Sequence, residues 1–207
     1  MPQFVMNGHR IIDVHVQGES FRAISGAMVA YQGDIKFKRA PIGGGEGLRG
    51  AVKRGVTGES LELMDCEGSG IVHLAVDAGY VELVHLQNDT LTVESSAMLA
   101  FESHLRTGVN FAGLRGMSSG QGLFTTTVSG SGTLALLSLG GPLIALEVSP
   151  EFPLVVDPDA YVGHRGQLQQ TFVADISWRT FVGRGNGEAF SLRFEGHGFV
   201  YLQPEER

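Results

Sequence analysis

One pattern constrains this chain more than any other: a Gly-x-Gly followed by an apolar run, met three times. It stands at Gly68-Ser69-Gly70 before Ile71-Val72-His73-Leu74, and at Gly130-Ser131-Gly132 before Thr133-Leu134-Ala135-Leu136. The third is Gly196-His197-Gly198 before Phe199-Val200-Tyr201-Leu202. The offsets are 62 (130 − 68) and 66 (196 − 130). An earlier glycine precedes each by nine or ten residues: Gly58 before Glu59-Ser60-Leu61, Gly120 before Gln121-Gly122-Leu123, and Gly187 before Glu188-Ala189-Phe190. Each copy reads as turn, strand, turn, strand, the grammar of a hairpin.

A third landmark falls in the other half of the unit. Leu91-Thr92-Val93-Glu94-Ser95-Ser96-Ala97-Met98-Leu99 aligns with Leu154-Val155-Val156-Asp157-Pro158-Asp159-Ala160-Tyr161-Val162. Phe21-Arg22-Ala23-Ile24-Ser25-Gly26-Ala27-Met28-Val29 is a weaker copy. Glycine abundance, 30 of 207 residues, would account for the first landmark by accident but not for the register of Ala27, Ala97 and Ala160. The order implies three diverged units, about 1–76, 77–140 and 141–207. Each is too small to bury its own apolar face. One domain spanning 1–207, with the units packed around a pseudo-threefold axis, buries them jointly. With 43% hydrophobic and 18% charged residues the chain can fill such a core and is not disordered. The expected class is all-β. Short strands are predicted at Val81–Leu86, Leu91–Val93, Leu134–Leu139 and Phe199–Leu202. One short amphipathic helix, Leu48–Val56, is weakened by Gly50 and Gly55.

Charge narrows the function classes. A net charge of −7 repels phosphate backbones, so nucleic acid is not an expected partner. The local exception is basic: Lys36, Lys38, Arg39, Arg49, Lys53 and Arg54. Surface lysine and arginine are ordinarily solvated. The sharper reading is weak peripheral contact with an anionic membrane. Cys66, the single cysteine, permits no internal disulfide. No signal peptide is legible at the start, and a cytoplasmic setting is expected. The longest uncharged stretch, Gly116 to Leu146, is broken by glycines and threonines and reads as two strands and two turns rather than a membrane span.

Several site motifs fail on context. Gly116-Met117-Ser118-Ser119-Gly120 matches a hydrolase elbow, but a strand-like segment follows where a helix is needed. Gly45-Glu46-Gly47-Leu48-Arg49-Gly50 matches a dinucleotide loop without its βαβ setting. The histidines (His9, His15, His73, His85, His104, His164, His197) show no metal-ligand spacing. Asp157 and Asp159 read as turn caps before acid–base groups. Trp178 reads as core or interface packing. No catalytic, cofactor-binding or metal residue is therefore assigned, and no cofactor or enzyme activity is expected.

The segments Ser25-Gly26-Ala27-Met28-Val29, Gly43-Gly44-Gly45 through Lys53-Arg54 to Thr57-Gly58-Glu59-Ser60-Leu61, and Gly196 to Pro204 together resemble the altered-inheritance-of-mitochondria protein family. The resemblance spans nearly the whole chain and rests mostly on structural glycines. It implies three fused units similar to the tryptophan RNA-binding attenuator, a shortened double-stranded β-helix. The family's fungal member is tied to inner-membrane organisation in mitochondria; without a transit peptide, a bacterial cytoplasmic setting is the expectation here. The functional expectation is a non-enzymatic, homo-oligomeric assembly or interaction protein. A small-molecule binding module with pockets between repeats, and a peripheral membrane-associated organiser, are the alternatives.

Overall fold

The fold is antiparallel and almost free of helix. The computed structural model describes residues 1–40, 62–111, 124–174 and 190–205. Its strands are β1 (Gln3–Asn7), β2 (Ile11–Ile24), β3 (Met28–Arg39), β4 (Leu63–Leu74), β5 (Tyr80–Glu94), β6 (Met98–Glu102), β7 (Arg106–Phe111), β8 (Phe124–Ser138), β9 (Ile144–Val148), β10 (Leu154–Val156), β11 (Tyr161–Ala174) and β12 (Phe190–Leu202). Among the described residues the one helical element is a 3-10 turn at Ser95–Ala97. The strands form one sheet of order β10-β12-β11-β5-β8-β6-β2-β4-β3, with β1 added on β2, β7 on β8 and β9 on β12.

Three of these strands are central to a set. β4 lies between β2 and β3, and β8 lies between β5 and the β6/β7 pair. β12 lies between β11 and the β9/β10 pair. Each central strand carries one Gly-x-Gly near its middle. Here the sequence reading needs correction. Gly68, Gly70, Gly130, Gly132, Gly196 and Gly198 are not turn residues, and the strands through them are long rather than short. The predicted Val81–Leu86 and Leu91–Val93 are one strand of 15 residues. Likewise, within 116–146 the described part is one long strand, a bend and the start of β9, rather than two strands and two turns.

What interrupts regularity is the neighbour of each Gly-x-Gly. The β2/β4 register shifts between Gln17 and Ser20, and the β5/β8 register between Leu86 and Asp89. In the third set β9 ends opposite Gly198 and β10 begins opposite Phe194. The shift inverts the pleat. In β2 the buried residues are Ile12, Val14 and Val16 before it, then Phe21 and Ala23 after it. In β5 Val84 and Leu86 are buried just before it, and Leu91 and Val93 after it; Val81, further back in the strand, is buried too. Gly18 and Asn88 supply the left-handed residue at the two shifts (φ 88° and 55°); these two residue types tolerate that conformation best. A bulge of this kind bends a strand and lets both halves keep an apolar side toward the core.

Three apolar clusters result. One centres on Phe21, Val72 and Leu74 and draws Leu99, Ala100 and Leu137 from the second set. Another centres on Leu91, Phe101 and Leu134 and draws Val162 and Tyr201 from the third. The last, with Tyr161, Leu192, Phe194 and Val200, contains no residue of the first set.

Candidate interaction surface

Two short antiparallel junctions join the sets. At the first, Phe21, Arg22 and Ala23 of β2 face Glu102, Phe101 and Ala100 of β6. At the second, Leu91, Thr92 and Val93 of β5 face Arg165, His164 and Gly163 of β11. Each junction is three residue pairs long and buried: Phe21, Ala23, Ala100, Phe101, Leu91 and Val93 are all inaccessible. The sheet then ends at β3 on one side and β10 on the other. Among the described residues no further strand pairs on either end, and both carry exposed apolar side chains. Val29 and Tyr31 on β3 are 56% and 49% exposed; Val155 on β10 is 45% exposed, and Phe152 beside it 77%. Isolated exposed apolar residues are ordinary, but unpaired backbone beside a row of them is a template for another strand.

The sequence-derived basic cluster divides. Arg49, Lys53 and Arg54 lie outside the described residues. Lys36, Lys38 and Arg39 lie on the far half of β3, all exposed. Lys38 is ion-paired to Glu67 of β4, and Arg39 to Glu62. Lysine-rich charge of this kind blunts a sheet edge, so the first half of β3, up to Gly33, is the unprotected part. Gly58, Gly120, Gly187, Trp178 and both discarded glycine motifs also lie outside the described residues.

The carboxylates at the turns act as the sequence implied. The Asp157 carboxylate accepts the Asp159 N–H at 3.0 Å, and Glu94 accepts the Ser96 N–H at 3.1 Å. The same position is thus filled by the same device in two sets. The Ala27 and Ala160 carbonyls likewise each accept, at 2.9 Å, the N–H of the residue just past a central strand, Ala75 and Gln203.

Histidines are dispersed. Nδ1 of His73 lies 2.6 Å from the Asp13 carboxylate, and that of His85 lies 3.1 Å from the Thr133 hydroxyl. Nε2–H of His104 donates to the Ser131 carbonyl at 2.8 Å. Among the described residues no three His, Cys, Asp or Glu side chains converge as a metal-holding group. Glu102 is the one buried acid among them. One of its oxygens accepts the Thr133 N–H at 2.8 Å, while the other has no hydrogen-bond partner and sits 3.6 Å from His104 Nδ1. The buried Cys66 thiol is pushed up to about 12 by burial and by Asp65, which leaves it inert at neutral pH.

His164, at the second junction, is the residue with the clearest electrostatic consequence. Its Nδ1 shares a 2.7 Å hydrogen bond with the Tyr161 hydroxyl, and Tyr161 stacks on Phe194 with centroids 5.6 Å apart. Burial pushes the His164 imidazole down to about 4. Below its ordinary value near 6.5 the unfolded chain takes up a proton that the native state refuses. Stability is therefore full above about pH 6.5 and falls toward pH 4, by about 3 kcal/mol in all. Urea unfolding at a series of pH values should show a shallower decline for His164→Gln than for the parent. Parallel pH curves would mean that this imidazole is not buried neutral.

With the geometry in view, the comparisons carry weight. The family described as Mitochondrial biogenesis AIM24 matches residues 4–205. The chain belongs to that family. Its fold is also that of a solved Streptococcus pyogenes protein, known from an X-ray crystal structure. The TM-score is 0.72 at 20% identity, over 100% of this chain and 94% of that one. At that identity the AIM24 chain shares a fold with the streptococcal protein, and nothing about activity follows. No curated protein matches. Among the described residues of this AIM24 chain no helix is long and apolar enough to cross a membrane.

Sequence reasoning missed Tyr31, Val155 and Phe152. The alignment of Phe21–Val29 with Leu91–Leu99 and Leu154–Val162 includes Val155, stops two residues short of Tyr31 and begins two residues after Phe152. It does not say which strands end the sheet, and that alone makes these positions special.

Proposed function

We propose that this AIM24-family chain is a non-enzymatic assembly or interaction protein that forms homo-oligomers. The observation that carries the reading is the pair of open sheet ends, β3 and β10, each with exposed apolar side chains. Under this reading residues 1–207 are one domain of three copies of a unit, β2–β4, β5–β8 and β9–β12, around a pseudo-threefold axis. The recurring central strand, the irregularity opposite its glycines and the turn before Ala27, Ala97 and Ala160, capped by a carboxylate in the second and third, support it. Two seams between copies are sealed by hydrogen-bonded junctions, and at the remaining seam β3 and β10 end the sheet order without pairing with each other.

Native mass spectrometry of protein purified without chelator tests this reading. A bare homo-oligomer that dissociates on dilution is expected. A monomer at every concentration would count against assembly. A small molecule bound in stoichiometric amount would instead favour a binding module with pockets between repeats.

A further inference from the structure

We infer that Glu102 and His104 form an open site for one divalent transition-metal ion of the zinc class, at the corner between β6 and β7. Both ligands lie in one copy, so the site does not depend on assembly.

The corner begins with the buried acid. Glu102 ends β6 with a side chain only 6% exposed, and a carboxylate at that depth needs a partner for each oxygen. Its Oε1 accepts the Thr133 N–H of β8 at 2.8 Å. Its Oε2 has no hydrogen-bond partner and lies 3.6 Å from His104 Nδ1. The neutral ring does not supply a donor there. The Ser131 carbonyl, 2.8 Å from Nε2, can only accept, so Nε2 carries the ring proton and Nδ1 keeps its lone pair. Two acceptors therefore face one another, an arrangement that a cation between them stabilises. Arg22, across the junction, is committed elsewhere: its guanidinium is ion-paired with Asp65 at 2.9 Å.

A proton or a metal ion would satisfy both atoms, and their separation favours the metal. A charge-assisted N–H···O bond closes to about 2.7–2.9 Å, and 3.6 Å is beyond hydrogen-bond length. It is instead the span of two ligands on one ion. With metal–nitrogen and metal–oxygen lengths of about 2.0–2.2 Å the two bonds meet at about 120°, near the tetrahedral angle that zinc takes.

The surrounding hydrogen bonds fit the same role. A ligating histidine ordinarily donates its other N–H to a carbonyl or carboxylate, and a ligating carboxylate is itself hydrogen-bonded. Both conditions are met from β8, through Ser131 and Thr133. Burial fixes Glu102, while the His104 side chain, 48% exposed, leaves a side open to water, which completes the coordination. Packing of the sets does not itself require the acid. At the second junction Arg165 stands opposite Leu91 as Glu102 stands opposite Phe21, and its guanidinium lies over the Phe199 and Tyr201 rings. A bound ion would fasten the β6–β7 corner to the Gly130-Ser131-Gly132 stretch of β8.

Zinc chloride titrated into the chelator-treated chain near neutral pH tests the site. Isothermal titration calorimetry should show one ion per chain. His104→Gln and Glu102→Gln should each weaken binding at least about tenfold, with circular dichroism that of the parent. His73→Gln and His85→Gln should bind as the parent does, since Nδ1 of those rings is engaged by Asp13 and Thr133. In NMR spectra, zinc should shift the His104 ring resonances before those of any other histidine. Should Glu102→Gln fail to fold, His104→Gln still decides, because that side chain is half exposed. Absence of zinc binding by the parent would overturn the site. So would parental affinity in His104→Gln, or first shifts at another histidine; each would leave the pair to a proton alone.

Discussion

Gly70→Ala is expected to lower folding stability by about 3 kcal/mol or more, while Gly132→Ala lowers it by less than about 1 kcal/mol. Both are second glycines of a Gly-x-Gly, so the sequence treats them as equivalent. Their surroundings differ. A Cβ on Gly70 would stand 2.0 Å from the Gln32 carbonyl oxygen of β3, at a φ of +155°. That oxygen belongs to the ladder, so it cannot retreat without disturbing the pairing of β3 with β4. A Cβ on Gly132 would meet the ends of side chains, His104 Nε2 at 3.2 Å and Leu105 Cδ2 at 3.3 Å. β6 and β7 part there, and the half-exposed His104 ring can turn aside. Gly198 resembles Gly70, with the Arg165 carbonyl oxygen 2.2 Å from a built Cβ. Thermal unfolding distinguishes the two cases: about 3 kcal/mol corresponds to a midpoint lower by roughly 6–12 °C in a chain of this size. Equal midpoints for the two variants would mean that the glycines serve turns, as the hairpin reading had it, and not the close approach of strands.

This contrast shows what the sequence carried and where it stopped. Recurrence of Gly-x-Gly marked three central strands, because a glycine is required wherever two backbones come closer than a side chain allows. The same residues also serve turns, and one sequence does not tell a turn from a bent strand. Hence the sequence alone suggests a break at Gly68 to Gly70 in what is a continuous 12-residue strand. The pleat inversion at Gly18 and Asn88 hid the strands further. Alternation such as Ile12, Val14, Val16 followed by Phe21, Ala23 loses its period at a bulge and looks like two short strands. The turn caps were legible, since Asp157-Pro158-Asp159 binds its own backbone and needs no distant partner. The candidate surface was not legible. On the proposed three-unit reading Tyr31 and Phe101 correspond, each three residues past Met28 or Met98, and only the order of strands in the sheet decides which of them is left uncovered.

That equivalence supplies a second large effect. Phe101→Ala should cost about 3–5 kcal/mol, the range for truncating a fully buried aromatic side chain. Its ring fills the first junction and packs in the cluster of Leu91 and Leu134, where no neighbouring side chain can collapse into the space without leaving its own strand. Tyr31→Ala at the matching position should cost under about 1 kcal/mol in the dissociated chain, because the ring is half exposed and its aromatic neighbour is Phe37, 5.3 Å away edge-to-face. The two variants also differ in how the loss depends on concentration. Assembly stabilises the folded chain by mass action, so the parent should gain resistance to urea as protein concentration rises. Phe101→Ala should keep that gain on a lower baseline, since its defect lies inside one copy. Tyr31→Ala should lose the gain and keep the baseline. Urea unfolding of all three proteins at two concentrations reads both quantities at once. If Tyr31→Ala instead lowers the baseline as far as Phe101→Ala does, its ring is packed within a single copy, and the seam between β3 and β10 closes on itself.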